Sequence, residues 1–354
     1  MKKHNFSAGP CILPEEVLVE ASKAVINFNN DNLSLIEISH RSKPFVDVMN
    51  NAKDLVRELL NVPKDYPILF LQGGASLEFL MVPFNLMKLN GNASYLNTGV
   101  WSKKAIKEAE DFGKVSIIGD SSDKNFNYIP KTYKIPNNID YFHCTSNNTI
   151  YGTQIKNFPI CKTHLVCDMS SDIFSRKIDV SKFGLIYAGA QKNMGPAGTT
   201  LVIVKNEILG KTNRNIPTML NYQTHIDSES MFNTPPVFPI YVSMLTLKWI
   251  KEQGGVSVIE KRNIKKSELL YSEIDRNSLF TGTASFEDRS LMNICFLLND
   301  ESKKEIFDEM CKNAGINGIK GHRSVGGYRA SIYNAMPIES IKVLVDLMRT
   351  LEKN

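Results

Sequence analysis

A chain of 354 residues that is 42% hydrophobic and 22% charged has the composition of an ordinary globular protein, which excludes a disordered chain or a coiled coil. Its formal net charge of +5, from 42 Lys and Arg against 37 Asp and Glu, is small, and its basic residues lack the dense stripe of a nucleic-acid binder. We therefore expect no nucleic-acid partner and a mild positive charge that suits small anionic substrates.

The six cysteines form no C-x-x-C pair and no zinc-ligand spacing with histidine. We therefore expect free thiols, no metal site and a reducing compartment. The N-terminus has no apolar stretch long enough for a signal peptide. The most apolar window, PPVFPIYVSMLTLKWI, contains prolines and Lys248 and is too short to cross a bilayer. These features predict a cytoplasmic protein without a membrane partner.

Helical and strand-like segments alternate through the first two-thirds of the chain. Helices are predicted over residues 14–28, 44–60 and 102–111, and from about Leu77 with a kink at Pro83. Short apolar strands are predicted at residues 68–71, 94–96, 140–144, 165–167, 185–188 and 200–204. Short apolar strands that alternate with helices are typical of a mostly parallel α/β sheet.

The pattern changes after Pro239. Helices are predicted up to Gly254, over 256–275, near 302–314 and from Ile338, and strands near 292–298 and 328–333. This order is typical of a smaller α+β domain, with the helix at 256–275 as its hinge.

Several common motifs are absent from the sequence. It contains no G-x-G-x-x-G, Walker A, G-x-S-x-G or H-E-x-x-H pattern. Their absence disfavours a dinucleotide oxidoreductase, a P-loop NTPase, an α/β-hydrolase and a zinc protease.

Two candidate residues follow predicted buried strands. Asp168 comes directly after residues 165–167, and Lys192 follows the run LIYAGAQ. In open α/β sheets, ligands bind beyond the carboxyl ends of the strands. Pyridoxal phosphate needs a lysine for its Schiff base and an acid that keeps its pyridine nitrogen protonated, so this pair suggests such an enzyme. Spacing alone leaves a turn aspartate and a solvated lysine as the alternative.

Two further features suit a flat, phosphorylated ligand. Gly73, Gly74, Ala75 and Ser76 lie between a predicted strand and a helix, where helix-terminal N–H groups can bind phosphate. Trp101 precedes a predicted helix and is suited to stacking on a ring. A tight turn and a core aromatic side chain are the respective alternatives.

Basic residues occur in two distinctive stretches. GHRSVGGYRASIYN contains His322, Arg323 and Arg329, and EISHRSKPF contains His40 and Arg41. Arginine binds carboxylate and phosphate bidentately, and glycines allow close approach of a ligand. Solvated loops and capping are the alternatives, although a bare surface charge is less expected within the strand pattern around Arg329.

Together these segments resemble the phosphoserine aminotransferases, a family of class V aminotransferases with PLP fold type I. The resemblance runs nearly end to end, through NFSAGP, EISHRSKPF, LFLQGGASLEF, the Trp101 segment, IYAGAQKNMGPAG, MFNTPP and GHRSVGGYRASIYNAMP. It implies an α/β fold with a mainly parallel sheet in a large domain, residues 16–255. A smaller α+β domain would comprise residues 1–15 and 256–354.

The resemblance implies pyridoxal 5'-phosphate as the cofactor and a role for each residue around its ring. Lys192 would form the Schiff base with the cofactor, and Asp168 would pair with the pyridinium nitrogen. Trp101 would stack on the ring, and Thr149 would hydrogen-bond its phenolic oxygen.

The cofactor phosphate has its own implied set of residues. Ala75, Ser76 and Gln191 would bind it within one chain. Asn233 and Thr234 would reach it from the partner subunit, so the resemblance implies a homodimer with shared active sites. Some family members carry an arginine where this chain has Ser76.

The remaining implied residues bind substrate. Arg329 would hold the α-carboxylate of the amino acid. His40 with Arg41, and His322 with Arg323, would bind the distal carboxylate or phosphate, some of them across the dimer interface.

The implied reaction is a ping-pong transamination. Glutamate would donate its amino group and leave as 2-oxoglutarate, and 3-phosphohydroxypyruvate would accept the group to become O-phospho-L-serine. The related four-carbon phosphorylated oxo acid of pyridoxine biosynthesis is a second expected substrate. A cysteine desulfurase, which needs a nucleophilic cysteine on a mobile loop, and a non-catalytic phosphate-binding protein are the alternatives.

Overall fold

The computed structural model describes residues 3–353, so Met1, Lys2 and Asn354, which fall within the ranges predicted for the small domain, lie outside the described residues. The described chain contains nine α-helices, namely α1 Glu15–Ile26, α2 Lys43–Leu60, α3 Gly74–Leu86, α4 Val100–Glu110, α5 Tyr222–Asp227, α6 Val237–Glu252, α7 Val256–Arg276, α8 Lys304–Asn313 and α9 Ile338–Lys353. The same residues contain fourteen β-strands, namely β1 His4–Asn5, β2 Ile68–Leu71, β3 Asn92–Asn97, β4 Lys114–Asp120, β5 Tyr141–Thr145, β6 Asn147–Asn148, β7 Thr153–Gln154, β8 His164–Asp168, β9 Leu185–Gly189, β10 Thr200–Val204, β11 Phe280–Gly282, β12 Asn293–Leu298, β13 Ile316–Asn317 and β14 Tyr328–Ser331.

A seven-stranded sheet forms the centre of the larger part of the molecule, in the order β2-β10-β9-β8-β5-β3-β4. β10 runs antiparallel to β2 and β9, and the other neighbouring pairs are parallel. The predicted α/β fold with a mainly parallel sheet is therefore confirmed. Because β2, β3, β5, β8 and β9 run in the same direction, their carboxyl ends meet at one edge of the sheet.

Helices cover both faces of this sheet. Successive side chains of a strand point to opposite faces, so Phe142 and Cys144 of β5 join an apolar core with residues of α2 and α6. Tyr141 of the same strand joins the core on the other face, with residues of α3 and α4. Burial on both faces explains why the strands are short apolar runs rather than alternating patterns.

A separate apolar core lies in the C-terminal part, where the antiparallel sheet β11-β12-β14 packs against α7, α8 and α9. The N-terminus joins this core, because β1 pairs with β13 and the side chain of Phe6 is 0% exposed within it. The Phe6 backbone also hydrogen-bonds Asn317 (2.8 Å) and Ser331 (3.3 Å). The domain boundaries at residues 15 and 256 stay a prediction, which these contacts support.

Four helices, α2, α3, α4 and α6, begin one to three residues earlier than the sequence pattern predicts, and the starts of α3 and α6 have a local explanation. α3 begins at Gly74 rather than at Leu77, because Gly73 (φ +89°) and Gly74 (φ +65°) turn the chain directly from β2 into the helix. α6 begins at Val237 and includes Pro239. Proline is tolerated in a first helical turn, where its missing N–H has no helical acceptor.

Two strands of three or more residues have no counterpart in the sequence pattern, and neither have the two-residue strands β1, β6, β7 and β13. β4 lies at the edge of the large sheet and begins and ends with exposed, charged residues, so it lacks the apolar run of a buried strand. β11 has only three residues, one of them buried. Within residues 3–353, no helix is both long and apolar enough to cross a membrane.

The packing of Phe6 gives a stability prediction. Phe6→Ala removes a fully buried ring from the C-terminal core, and we expect it to lower the free energy of unfolding by about 3–5 kcal/mol. Phe286, which is 78% exposed, provides the matched control, and Phe286→Ala should cost less than about 1 kcal/mol. Urea unfolding followed by circular dichroism measures both. Equal midpoints for the two variants would contradict the anchoring of the N-terminus.

Candidate active site

A cavity of about 380 Å³ opens at the edge where the parallel strands end. Nine of the predicted site residues line it, namely Ala75, Ser76, Trp101, Thr149, Asp168, Gln191, Lys192, His322 and Arg329. They come from α3, α4, the end of β8, the segments after β6 and β9, and the C-terminal part. The fold thus brings together residues that are 250 positions apart in the chain.

Lys192 lies in the turn that follows β9. The turn is tight, because the Lys192 N–H donates to the carbonyl of Ala190 at 2.8 Å. The Nζ atom lies 5.8 Å from the centre of the Trp101 ring. Burial lowers the pKa of the Lys192 amine, and the positive charge of Arg329 acts in the same direction, whereas Asp168 opposes both. The amine therefore loses its proton at a lower pH than a surface lysine does.

Asp168 is the last residue of β8, the strand next to β9. Its Oδ1 atom accepts a hydrogen bond from the Ser170 N–H at 2.9 Å. Burial raises the pKa of the Asp168 carboxyl, whereas the charge of Lys192 and the hydrogen bonds from Ser170 oppose that shift. A cation that lies against this carboxylate would favour its ionised form in the same way.

The first turn of α3 presents its backbone to the cavity. Gly74, Ala75 and Ser76 all line the cavity, and the helix has no side-chain cap at its start. The first N–H groups of a helix have no helical acceptor and attract anions. Together with the side chain of Gln191, this donor set fits a phosphate group.

A hydrogen-bonded chain links Trp101, Thr149 and Arg329. The Trp101 indole N–H donates to Thr149 Oγ1 at 3.1 Å, and an Arg329 amino group donates to the Thr149 carbonyl at 3.1 Å. The Arg329 Nε atom is buried and has no partner within the described residues. The guanidinium therefore has donors to offer, and a carboxylate is the group that matches them bidentately.

His322 lines the cavity, whereas Arg323 is exposed and does not. The Ser324 N–H donates to His322 Nδ1 at 3.2 Å, so Nδ1 is an acceptor and the neutral ring carries its proton on Nε2. Burial lowers the pKa of the His322 imidazole, and the charges of Arg329 and Arg323 add to that shift. His322 therefore offers a neutral N–H donor at physiological pH.

Besides Arg323, four predicted residues lie outside the cavity of the single chain, namely His40, Arg41, Asn233 and Thr234. The amide of Asn233 donates to Gln72 Oε1 at 3.2 Å, and Gln72 donates to the Thr234 carbonyl at 3.0 Å. This pairing holds the MFNTPP segment beside the end of β2. His40 is half-buried and Arg41 is exposed, at the start of α2.

The structure adds cavity residues that the sequence analysis does not contain, including Ala8, Gly9, Phe79, Thr145, Asn147, Ile150, Ser170 and Ser171. The NFSAGP motif was a signal for the first two. The Tyr333 hydroxyl donates to the Ala8 carbonyl at 2.7 Å, and a Cβ at Gly9 would lie 3.4 Å from Lys192 Cγ. A side chain at position 9 would therefore crowd the lysine.

Cys11 lies closest to Lys192 in this segment, and its Sγ–H donates to the Lys192 carbonyl. Burial raises the pKa of the Cys11 thiol to about 12. The thiol is therefore protonated at physiological pH and is a poor nucleophile, which disfavours the cysteine desulfurase alternative. Among residues 3–353, no group of three or more His, Cys, Asp and Glu side chains is arranged to hold a metal ion.

Comparisons with known proteins agree with this geometry. The family described as Aminotransferase class-V matches residues 3–344. A phosphoserine aminotransferase of Flavobacterium psychrophilum is 65% identical, over 99% of each chain, and one of Bacteroides thetaiotaomicron is 59% identical, over 100% of this chain and 99% of the relative. Among solved structures, phosphoserine aminotransferase from Bacillus circulans subsp. alkalophilus matches with a TM-score of 0.96 at 42% identity, over 99% of each chain. The PLP-bound enzyme from Trichomonas vaginalis matches with a TM-score of 0.93 at 36% identity, over 98% of this chain and 100% of that one.

Proposed function

The chain belongs to the class-V aminotransferases and, within them, to the phosphoserine aminotransferases, and on that premise we propose its cofactor, substrates and site residues. It transfers the amino group of L-glutamate to 3-phosphohydroxypyruvate, which yields 2-oxoglutarate and O-phospho-L-serine. The observation that carries the proposal is a half-buried lysine, a buried aspartate and an arginine whose Nε atom has no partner within the described residues, all around one cavity.

Pyridoxal 5'-phosphate is the proposed cofactor, and when bound it supplies an electron sink for the negative charge that develops at the α-carbon. The residues present fit it: the α3 N-terminus and Gln191 would hold its phosphate, Trp101 lines the cavity and would stack on its ring, and the Asp168 carboxylate would pair with its cationic ring nitrogen. Lys192 is the attachment point, because its amine lies 5.8 Å from the centre of the Trp101 ring and close enough to Asp168 to feel its charge.

Lys192 also moves the proton. Burial favours the uncharged form of the Lys192 amine. The Nζ atom therefore accepts the α-proton of the amino acid and donates it back later in the same half-reaction. The same atom serves both half-reactions, and we propose that 2-oxoglutarate leaves before 3-phosphohydroxypyruvate binds. Kinetics are therefore ping-pong.

Substrate orientation depends on two kinds of contact. Arg329 binds the α-carboxylate, because it lines the cavity and its Nε atom has no partner within the described residues. The His322 N–H and Arg323, which follows it in the same loop, bind the distal phosphate. The four-carbon phosphorylated oxo acid of pyridoxine biosynthesis has the same two anionic ends and is a proposed second substrate, which a coupled assay with both oxo acids tests.

A second copy of the chain completes the proposed site. Asn233, Thr234, His40 and Arg41 lie outside the single-chain cavity, and in a homodimer they act on the partner's cofactor phosphate and substrate. All six cysteines have free thiols, which supports the reducing, cytoplasmic compartment that we propose for the enzyme.

The role of Lys192 gives the first activity prediction. Lys192→Ala should abolish turnover and leave the circular dichroism spectrum unchanged, because the residue lies in a turn outside the sheet. Borohydride treatment of the wild-type protein with cofactor should attach the cofactor to Lys192, as peptide mapping detects. Lys248→Ala, at an exposed helix position, is the control and should keep full activity. A label on another lysine would remove Lys192 from this role.

Substitution of Arg329 and substitution of Arg323 should lower kcat/KM for different sets of substrates. A hydrogen bond to a charged group contributes roughly 1.5–3 kcal/mol, so loss of one should lower kcat/KM by about 10- to 150-fold. Arg329→Ala should do so for phosphoserine, glutamate and alanine alike, because all three share the α-carboxylate. Arg323→Ala should lower it for phosphoserine much more than for alanine. Equal losses on all three substrates for Arg323→Ala would make that residue structural.

The shared site predicts complementation between inactive chains. A Lys192→Ala chain lacks the amine but keeps Asn233 and Thr234, and an Asn233→Ala, Thr234→Ala chain has the converse defect. Co-expression should restore activity in mixed dimers, because one of the two sites then has every residue. Mixed dimers that form, as differently tagged chains demonstrate, but remain inactive would contradict the exchange of residues between subunits.

A further inference from the structure

One buried hydroxyl in the cavity wall has no hydrogen-bond partner within the described residues. It belongs to Thr145, the last residue of β5, whose side chain is 2% exposed and lines the cavity. Its Oγ1 atom is buried and unpaired. A buried unpaired hydroxyl is unfavourable, and valine would fill the same space in a strand without that cost. The hydroxyl therefore points to a partner that it does not contact in the cofactor-free chain.

The register of the sheet shows which side chain of the neighbouring strand lies beside Thr145. Thr145 and Asp168 are paired residues of the adjacent parallel strands β5 and β8. Neighbouring strands lie about 4.8 Å apart, and paired residues point to the same face. The Thr145 and Asp168 side chains therefore lie next to each other on the same face of the sheet.

The other groups next to Asp168 either already form a hydrogen bond or carry a charge. Tyr187 is the paired residue on β9, and its hydroxyl hydrogen-bonds His143 Nε2 at 2.8 Å. Ser170 donates to Oδ1, Lys192 attracts the carboxylate, and Asp172 repels it. Thr145 is thus the neighbouring hydroxyl with a proton to donate among the described residues.

We propose that Thr145 is a positioning residue for Asp168 in the cofactor-loaded enzyme, in which its hydroxyl donates a hydrogen bond to the carboxylate that faces the ring nitrogen. This inference rests on the proposed function. A donor to an ionised carboxylate favours the ionised form. An ionised Asp168 in turn keeps the ring nitrogen protonated. Burial favours the neutral forms of both groups, and the hydrogen bond from Thr145 opposes part of that effect.

Thr145→Val and Thr145→Ser form the test, since valine keeps the shape without the hydroxyl and serine keeps the hydroxyl. Each protein is loaded with pyridoxal phosphate that carries ¹⁵N at the ring nitrogen. The ¹⁵N chemical shift is followed against pH, and the cofactor dissociation constant is measured by fluorescence. For Thr145→Val we expect about tenfold weaker binding, the lower end for a hydrogen bond to a charged group, and loss of the ring proton at a lower pH. Thr145→Ser should resemble the wild type in both measurements.

Two results would contradict the role of Thr145 and leave the proposed function intact. If Thr145→Val matches the wild type in both measurements, the hydroxyl does not act on Asp168. If Thr145→Ser is as defective as Thr145→Val, the methyl group matters and the role is packing. A wild-type protein that binds no pyridoxal phosphate would instead overturn the proposed function, and the inference with it. Thermal unfolding of the cofactor-free variants establishes that each one folds.

Discussion

The buried pair of Lys192 and Asp168 is the constraint on which the rest of the site depends. Burial alone drives both groups towards their neutral forms, because it lowers the pKa of the amine and raises that of the carboxyl, and their mutual attraction opposes both shifts. The sheet decides how close the two groups come, since β8 and β9 are adjacent, parallel and end at the same edge. Trp101, the first turn of α3 and Arg329 surround the space between them.

The sequence pattern was sufficient where a strand is buried on both faces. The strands at Ile68–Leu71 and Thr200–Val204 begin and end where predicted, because a continuous apolar run between turn residues has few other interpretations. The edge strand β4 was not predicted, because one side of it faces solvent and its composition is that of a loop. The early start of α3 depends on the backbone angles of Gly73 and Gly74. A pair of glycines can adopt these angles but does not have to.

Prediction of the site followed a similar division. Asp168 and Lys192 could be found because each follows a buried strand, and parallel strands bring their carboxyl ends together. Whether a loop residue reaches the cavity is decided by the loop's path, so neighbours such as His322 and Arg323 differ in position although they share a motif. Thr145 carries no sequence signal at all, because a threonine at the end of an apolar strand is common and only the register with Asp168 makes it notable.

The N-terminal segment mechanically couples the two parts of the molecule. Phe6 is fixed in the C-terminal core, which also supports Arg329, and Cys11 is bound to the backbone of Lys192. The five residues from Ser7 to Cys11 can span at most about 18 Å when fully extended. They act as a tether of fixed length, so the two parts cannot separate widely unless one of its ends detaches. The tether therefore sets an upper limit on the distance between the turn that carries the lysine and the sheet that carries the arginine.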